Sequence, residues 1–270
     1  MKTNTIFRLF SGIALLLGFM AQGAYAYSGK DSRNGADLPA QGTLRVLVVF
    51  AEVTGDPNYD NNTWSWEAGK MPPNVDQMFD VDWLAISGGT VGGGMGPLGK
   101  PVTPVGPPPS PSKLFSCFFY DASFGKLRVK GDYYPELIKI PYNQIVCDAN
   151  ANYNYNQLVM DALALKKEPK SATGLKIPAD FDAWTPTAAY LAKNNTPDGK
   201  IDNLIIIWRV NSRLATVNNS GRFGGGVSST DGKMQSNNTQ YMYSYDFFNF
   251  IVPHEFSHGL LGDNQYHNGG

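Results

Sequence analysis

Thr43-Leu-Arg-Val-Leu-Val-Val-Phe-Ala-Glu-Val53 is a near-continuous run of β-branched and aliphatic residues. A strand with one wet face alternates apolar and polar residues, so this run predicts a strand covered on both faces. Ile201-Asp-Asn-Leu-Ile-Ile-Ile-Trp-Arg-Val210 is a second run of the same kind. Strands of this type need helices above and below them, and the stretches between the two runs have helical and strand patterns in turn. Val75–Ile86 has apolar residues at mixed spacing and predicts a short helix plus connection. Lys113–Phe124 predicts a helix with Leu114, Cys117 and Phe118 on its apolar stripe and Gly125 as the terminating glycine. Lys126–Lys130 alternates with period two, a half-exposed strand, and Tyr134–Ile140 is its hairpin partner or its continuation. Asn152–Glu168 places Leu158, Ala162 and Leu165 on one helical face and stops at Pro169. Thr185–Lys193 predicts a shorter helix with Pro186 in its first turn, and Tyr241–Tyr245 an exposed strand. Strand and helix alternate, which predicts an α+β fold with α/β-like layers.

Composition narrows the function. The chain has 270 residues with 22 Lys+Arg against 23 Asp+Glu, a formal net charge of −1 and no basic run. That balance excludes a protein that works by neutralising nucleic-acid phosphates. Lys2 and Arg8 precede an apolar stretch from Leu9 to Met20, followed by Ala24-Tyr-Ala26. This is the order of a secretory signal peptide, so residues 1–26 are expected to be removed and the mature chain exported. The stretch is shorter than the roughly 20 residues a membrane helix needs, and Ser11 and Gly12 interrupt it. Residues 27–42 read as a flexible lead. Residues 87–112 are Gly-rich and then Pro-rich, a surface insertion whose glycines do not have the spacing of a phosphate loop. In an oxidising compartment Cys117 and Cys147 either pair or sit as small buried hydrophobes, and neither reading makes a cysteine catalytic. Asp198-Gly199 is a strong turn signal, with the alternative that Asp198 and Asp202 help to hold a calcium ion.

The chemistry gathers at the end of the chain. All three histidines, His254, His258 and His267, lie there, and His254-Glu255-Phe-Ser-His258 has the spacing of a zinc helix. Residues four apart on a helix are about 40° apart around its axis, so the two imidazoles project from one face and can meet one Zn²⁺. Glu255 is turned about 100° from His254, beside the metal rather than on it, where a carboxylate can take a proton from attacking water. Pro253 falls in the first turn if Asn249 is the N-cap, and Phe250, Leu260 and Leu261 supply apolar anchoring. The third ligand is His267, nine residues on and just past Gly262, or its competitor Asp263.

With these residues the chain resembles the secreted immune inhibitor A-like zinc metallopeptidases, a zincin family. Leu44–Val53, Ala122-Ser-Phe-Gly-Lys-Leu127 and Pro197-Asp-Gly-Lys-Ile-Asp-Asn-Leu-Ile-Ile-Ile207 precede the zinc motif in the family's order. The resemblance implies a mixed twisted sheet over an active-site helix, zinc on His254 and His258, and Glu255 as catalytic base. It also implies a catalytic domain over residues 43–270 whose lower subdomain is largely missing, because family members continue well beyond the second histidine. Gly259-Leu-Leu-Gly262-Asp263 departs from the family's usual Leu-Gly-Leu-Pro-Asp, so the third ligand does not transfer by position. The expected activity is hydrolysis of peptide bonds in extracellular protein. The rivals are a secreted binding protein with a structural metal or none, and a zinc amidase acting on cell wall.

Overall fold

The computed structural model describes residues 38–39, 42–55, 66–72, 75, 79–80, 83–84, 115–147, 149, 153–185, 193–194, 196–209, 221–243 and 251–261. In chain order its strands are β1 (Gly42–Thr54), β2 (Phe79–Asp80), β3 (Trp83–Leu84), β4 (Leu127–Tyr133), β5 (Ile138–Pro141), β6 (Trp184–Thr185), β7 (Lys193–Asn194), β8 (Ile201–Trp208), β9 (Gly221–Gly224) and β10 (Ser236–Tyr243). The α-helices are α1 (Phe115–Ala122), α2 (Tyr155–Ala164) and α3 (Ile251–Leu261). The signal-like segment, most of the N-terminal lead, Asp56–Asn62 and the Gly/Pro-rich insertion lie outside the described residues.

The main sheet runs β4–β1–β8–β10–β9, with β5 continuing along the same edge of β1 that β4 occupies. Four of its pairings, β1 with β4, β5 and β8, and β8 with β10, are parallel; β9 runs antiparallel to β10. Parallel strands are joined by crossovers that place helices on the sheet faces, so the central strands lose both wet faces. Residues 44 and 46–53 of β1 are buried, and so are all eight residues of β8. One face carries Val46, Val48, Phe50, Ile205 and Ile207 in a cluster with Phe115, Phe119 and Phe256, which brings α1 and α3 to that side. The opposite face carries Leu47, Val49, Leu204 and Ile206 with Val159, Met160 and Leu163 of α2. The architecture is broadly α/β, a largely parallel sheet between helices. No described helix is long and apolar enough to cross a membrane.

The two buried runs become β1 and β8 as the sequence predicts, and Leu127–Lys130 of the expected half-exposed strand lie in β4. Tyr134–Ile140 continues along β1 in parallel as β5 rather than returning as a hairpin partner. Elsewhere the structure corrects the pattern. In Val75–Ile86, expected as a short helix plus connection, Val75 is in a 3₁₀ turn, residues 76–78 lie outside the description, and the rest contains an antiparallel pair, β2 with β3; Phe79 and Trp83 have high strand propensity. Of the expected helix over Thr185–Lys193 only the two end residues are described, Thr185 in β6 paired with Lys193 in β7; residues 186–192, its body, lie outside the description. On α1 the buried aromatics are Phe115 and Phe119, beside a buried Ser116, whereas Phe118 is exposed. Three aromatics in five residues satisfy two helical stripes equally well, and only the tertiary partners choose between them. On α2 the core face is centred on Tyr155, Val159, Met160 and Leu163, one step round from the predicted stripe; Leu158 and Ala162 of that stripe pack on the core half-buried, and Leu165 is exposed beyond the helix end. Tyr241 lies in β10, an interior strand paired on both edges, and is half-buried against Tyr155; Ser244 and Tyr245 of the expected exposed strand lie outside the described residues.

The α1 terminus shows how local chemistry closes an element. The N–H of Gly125 donates to the Tyr120 carbonyl at 2.7 Å and that of Phe124 to Asp121 at 3.0 Å. This is the Schellman pattern, which satisfies two of the last carbonyls of the helix. Phe124 takes the left-handed position at φ 55°, one residue before the glycine at φ 76°.

Candidate metal centre

Helix α3 packs on β9 and β10 at the antiparallel end of the sheet. Its start tolerates Pro253 at the third helical position, because first-turn N–H groups have no intrahelical acceptor in any case. The Ser257 hydroxyl donates back to the Pro253 carbonyl at 2.7 Å. The helix is anchored by Phe256, which is fully buried against Phe115 and Phe119, with ring centroids 5.0 and 4.6 Å away. The sequence pattern assigned anchoring to Phe250, Leu260 and Leu261. Leu260 does pack on the core, Phe250 lies outside the description, and Phe256 is the anchor the pattern missed. Its signal was an aromatic residue inside the motif, one position past Glu255.

With that side of α3 fixed, the others present the motif. The His254 and His258 rings have centroids 4.9 Å apart and planes at 85°. One ligand atom each from His254, Glu255 and His258 lie within 4.8 Å of one another. Four ligands around a tetrahedral zinc at about 2.0–2.1 Å stand roughly 3.4 Å apart, within reach of small side-chain rotations from this arrangement. Two imidazoles and a carboxylate are also the donor types that Zn²⁺ accepts, so the residues fit the ion. His254 is partly open to solvent, whereas Glu255 and His258 are 7% and 5% exposed. A buried carboxylate beside two imidazoles is where a cation offsets the cost of desolvation. Among the described residues no other group of three metal-type donors comes together. His267 and Asp263, the two candidates for a further ligand, lie outside the described residues.

The acids of the turn before β8 face hydrogen-bond donors. Asp182 accepts the N–H groups of Asp198 and Gly199 at 2.9 and 2.7 Å, and Gly199 has φ 87°. Asp202 accepts those of Ala183 and Trp184 at 2.9 and 3.1 Å. Asp198 accepts from Lys200 and Asn237. These contacts build a turn stitched by side-chain acceptors, with each acid facing donors. Burial pushes the Asp202 carboxyl up to about 7, against the lowering effect of its two N–H donors; the charges of Asp182 and Asp198 add to the rise. Cys147 is exposed and neighbours Tyr153, and the Cys117 side chain lies outside the description.

Compared with known proteins, the chain matches no family model and no curated protein.

Proposed function

We propose that the chain is an exported zinc peptidase of the immune inhibitor A-like kind, hydrolysing peptide bonds in extracellular protein. The observation that carries the reading is the convergence of His254, Glu255 and His258 within 4.8 Å on one helix, with Glu255 and His258 buried. In this reading the two imidazoles hold Zn²⁺, and Glu255 accepts the proton of the attacking water and passes it to the leaving amine. The bound ion supplies the Lewis acidity that amide hydrolysis needs. Strand β9, paired only through β10 among the described residues, offers an edge beside α3 that can take up an extended peptide backbone. Export rests on the order of charged, apolar and small residues in 1–26.

One observation favours a second reading. Glu255 has a ligand atom inside the same 4.8 Å group as the histidines, so it can serve as a third ligand of a purely structural metal. A single pair of variants separates the two. The purified chain is expected to carry about one zinc, lost in His258→Ala. Glu255→Ala keeps zinc and loses caseinolysis by at least about a hundredfold if the carboxylate is the base. If Glu255→Ala loses its zinc instead, the structural reading holds, and if wild type and Glu255→Ala cleave equally the hydrolytic mechanism is wrong.

A further inference from the structure

Beneath the metal helix the sheet carries amides where hydrocarbon is expected. Asn203 of β8 and Asn238 and Gln240 of β10 are all fully buried. By register Asn203 stands beside both Val46 and Asn238, and Gln240 stands beside Ile205. Val46 and Ile205 belong to the cluster that contains Phe256, so all three amides lie on the α3 face of the sheet. α3 itself packs on β10, whose positions 238 and 240 point to that face. Neighbouring strands are about 4.8 Å apart, and alternate residues about 7 Å, so the three amides form one compact group.

Neither the oxygen nor the nitrogen of any of these three amides finds a hydrogen-bond partner among the described residues. Asn203 and Asn238 are register partners and still do not bond to each other. Six buried amide atoms left dry would be strongly unfavourable, and three leucine-sized residues would fill the space without that cost. An occupant that satisfies amides must be small and neutral and must both donate and accept. Water fits, since a buried water needs two to four polar partners and the group supplies six atoms.

We propose that Asn203, Asn238 and Gln240 hold a cluster of ordered water between the sheet and α3, and that this wet seat positions the helix bearing His254, Glu255 and His258. For the role of the helix this rests on the zinc reading above; the water itself does not. The three amides are positioning residues, acting on the metal site through the helix they support.

The test uses the full chain in two measurements. With ¹⁵N in its Asn and Gln side chains, the wild-type NH₂ groups of Asn238 and Gln240 are expected to show magnetisation exchange with long-lived water; silence at both overturns the proposal. The double variant Asn238→Leu/Gln240→Met is expected to keep its far-UV spectrum, melt at lower temperature and bind zinc at least about tenfold more weakly. Its cobalt form is expected to show altered visible bands well below its melting temperature, which a merely less stable helix would not produce. A variant that melts higher, with unchanged zinc affinity and cobalt spectrum, overturns the proposal. Should the double variant fail to fold, the wild-type water measurement decides alone. If the wild type binds no zinc, the peptidase reading fails, and the same water measurement still decides the seat.

Discussion

Phe256 occupies one of the two unspecified positions of the His254–His258 motif, yet it ties the motif to the sheet. Its ring sits among Phe115 and Phe119, in the cluster that also holds Phe50 and Ile207. Truncating a fully enclosed phenyl loses its transfer energy and leaves a cavity that close-packed neighbours fill only partly. Phe256→Ala is therefore expected to cost about 3–5 kcal/mol in urea unfolding, and Phe256→Leu distinctly less. A loss below about 1 kcal/mol for the alanine variant would mean that α3 is not seated as described. The motif itself was fully legible in the sequence, because His254, Glu255 and His258 need only helical spacing to meet. The anchor was not: it depends on which of several aromatics finds a tertiary partner.

At the scale of the element, Asp202 shows what a buried strand run conceals. Its carboxylate lies in β8 and clips the N–H groups of Ala183 and Trp184, tying the β6 segment to the sheet. Burial raises its folded pKa from 3.8 to about 7. The folded state therefore binds more protons than the unfolded chain between about pH 4 and 7, and the contribution of Asp202 to stability falls as pH rises through that window. Asp202→Asn imitates the protonated form and cannot titrate, so unfolding free energy measured from pH 5 to 8 is expected to fall less steeply than in wild type. Parallel slopes would show that Asp202 titrates normally. Strands β1 and β8 were legible because unbroken β-branched runs have one stable home, between two layers. The faces of α1 and α2 slipped by one step because their apolar residues are too many to mark a single stripe. β10 was legible only at its end, from Tyr241, because Asn238, Thr239 and Gln240 give no apolar signal; parallel pairing to β8 carries them inside.

For the molecule as a whole, stability is expected to be graded from the sheet centre to α3. β1 is hydrogen-bonded on one edge to β4 and β5 and on the other to β8, and it feeds apolar side chains to both clusters. Opening it breaks both cores at once, so amides within Val46–Ala51 and Leu204–Trp208 should exchange hydrogen only through global unfolding. α3 sits at the other end of the sheet, on β9 and β10, and its loss leaves β1 paired. It should open locally and exchange sooner. A ligand that binds only the closed helix adds stability by mass action, about 2.7 kcal/mol at one hundred times its dissociation constant. Zinc is thus expected to slow exchange first and most in Ile251–Leu261, while β1 and β8 gain only what global stability gains. The measurement is hydrogen exchange read by mass spectrometry on the full chain with and without zinc. Protection that appears elsewhere and leaves α3 unchanged would place the metal away from His254 and His258, and the peptidase reading would go with it.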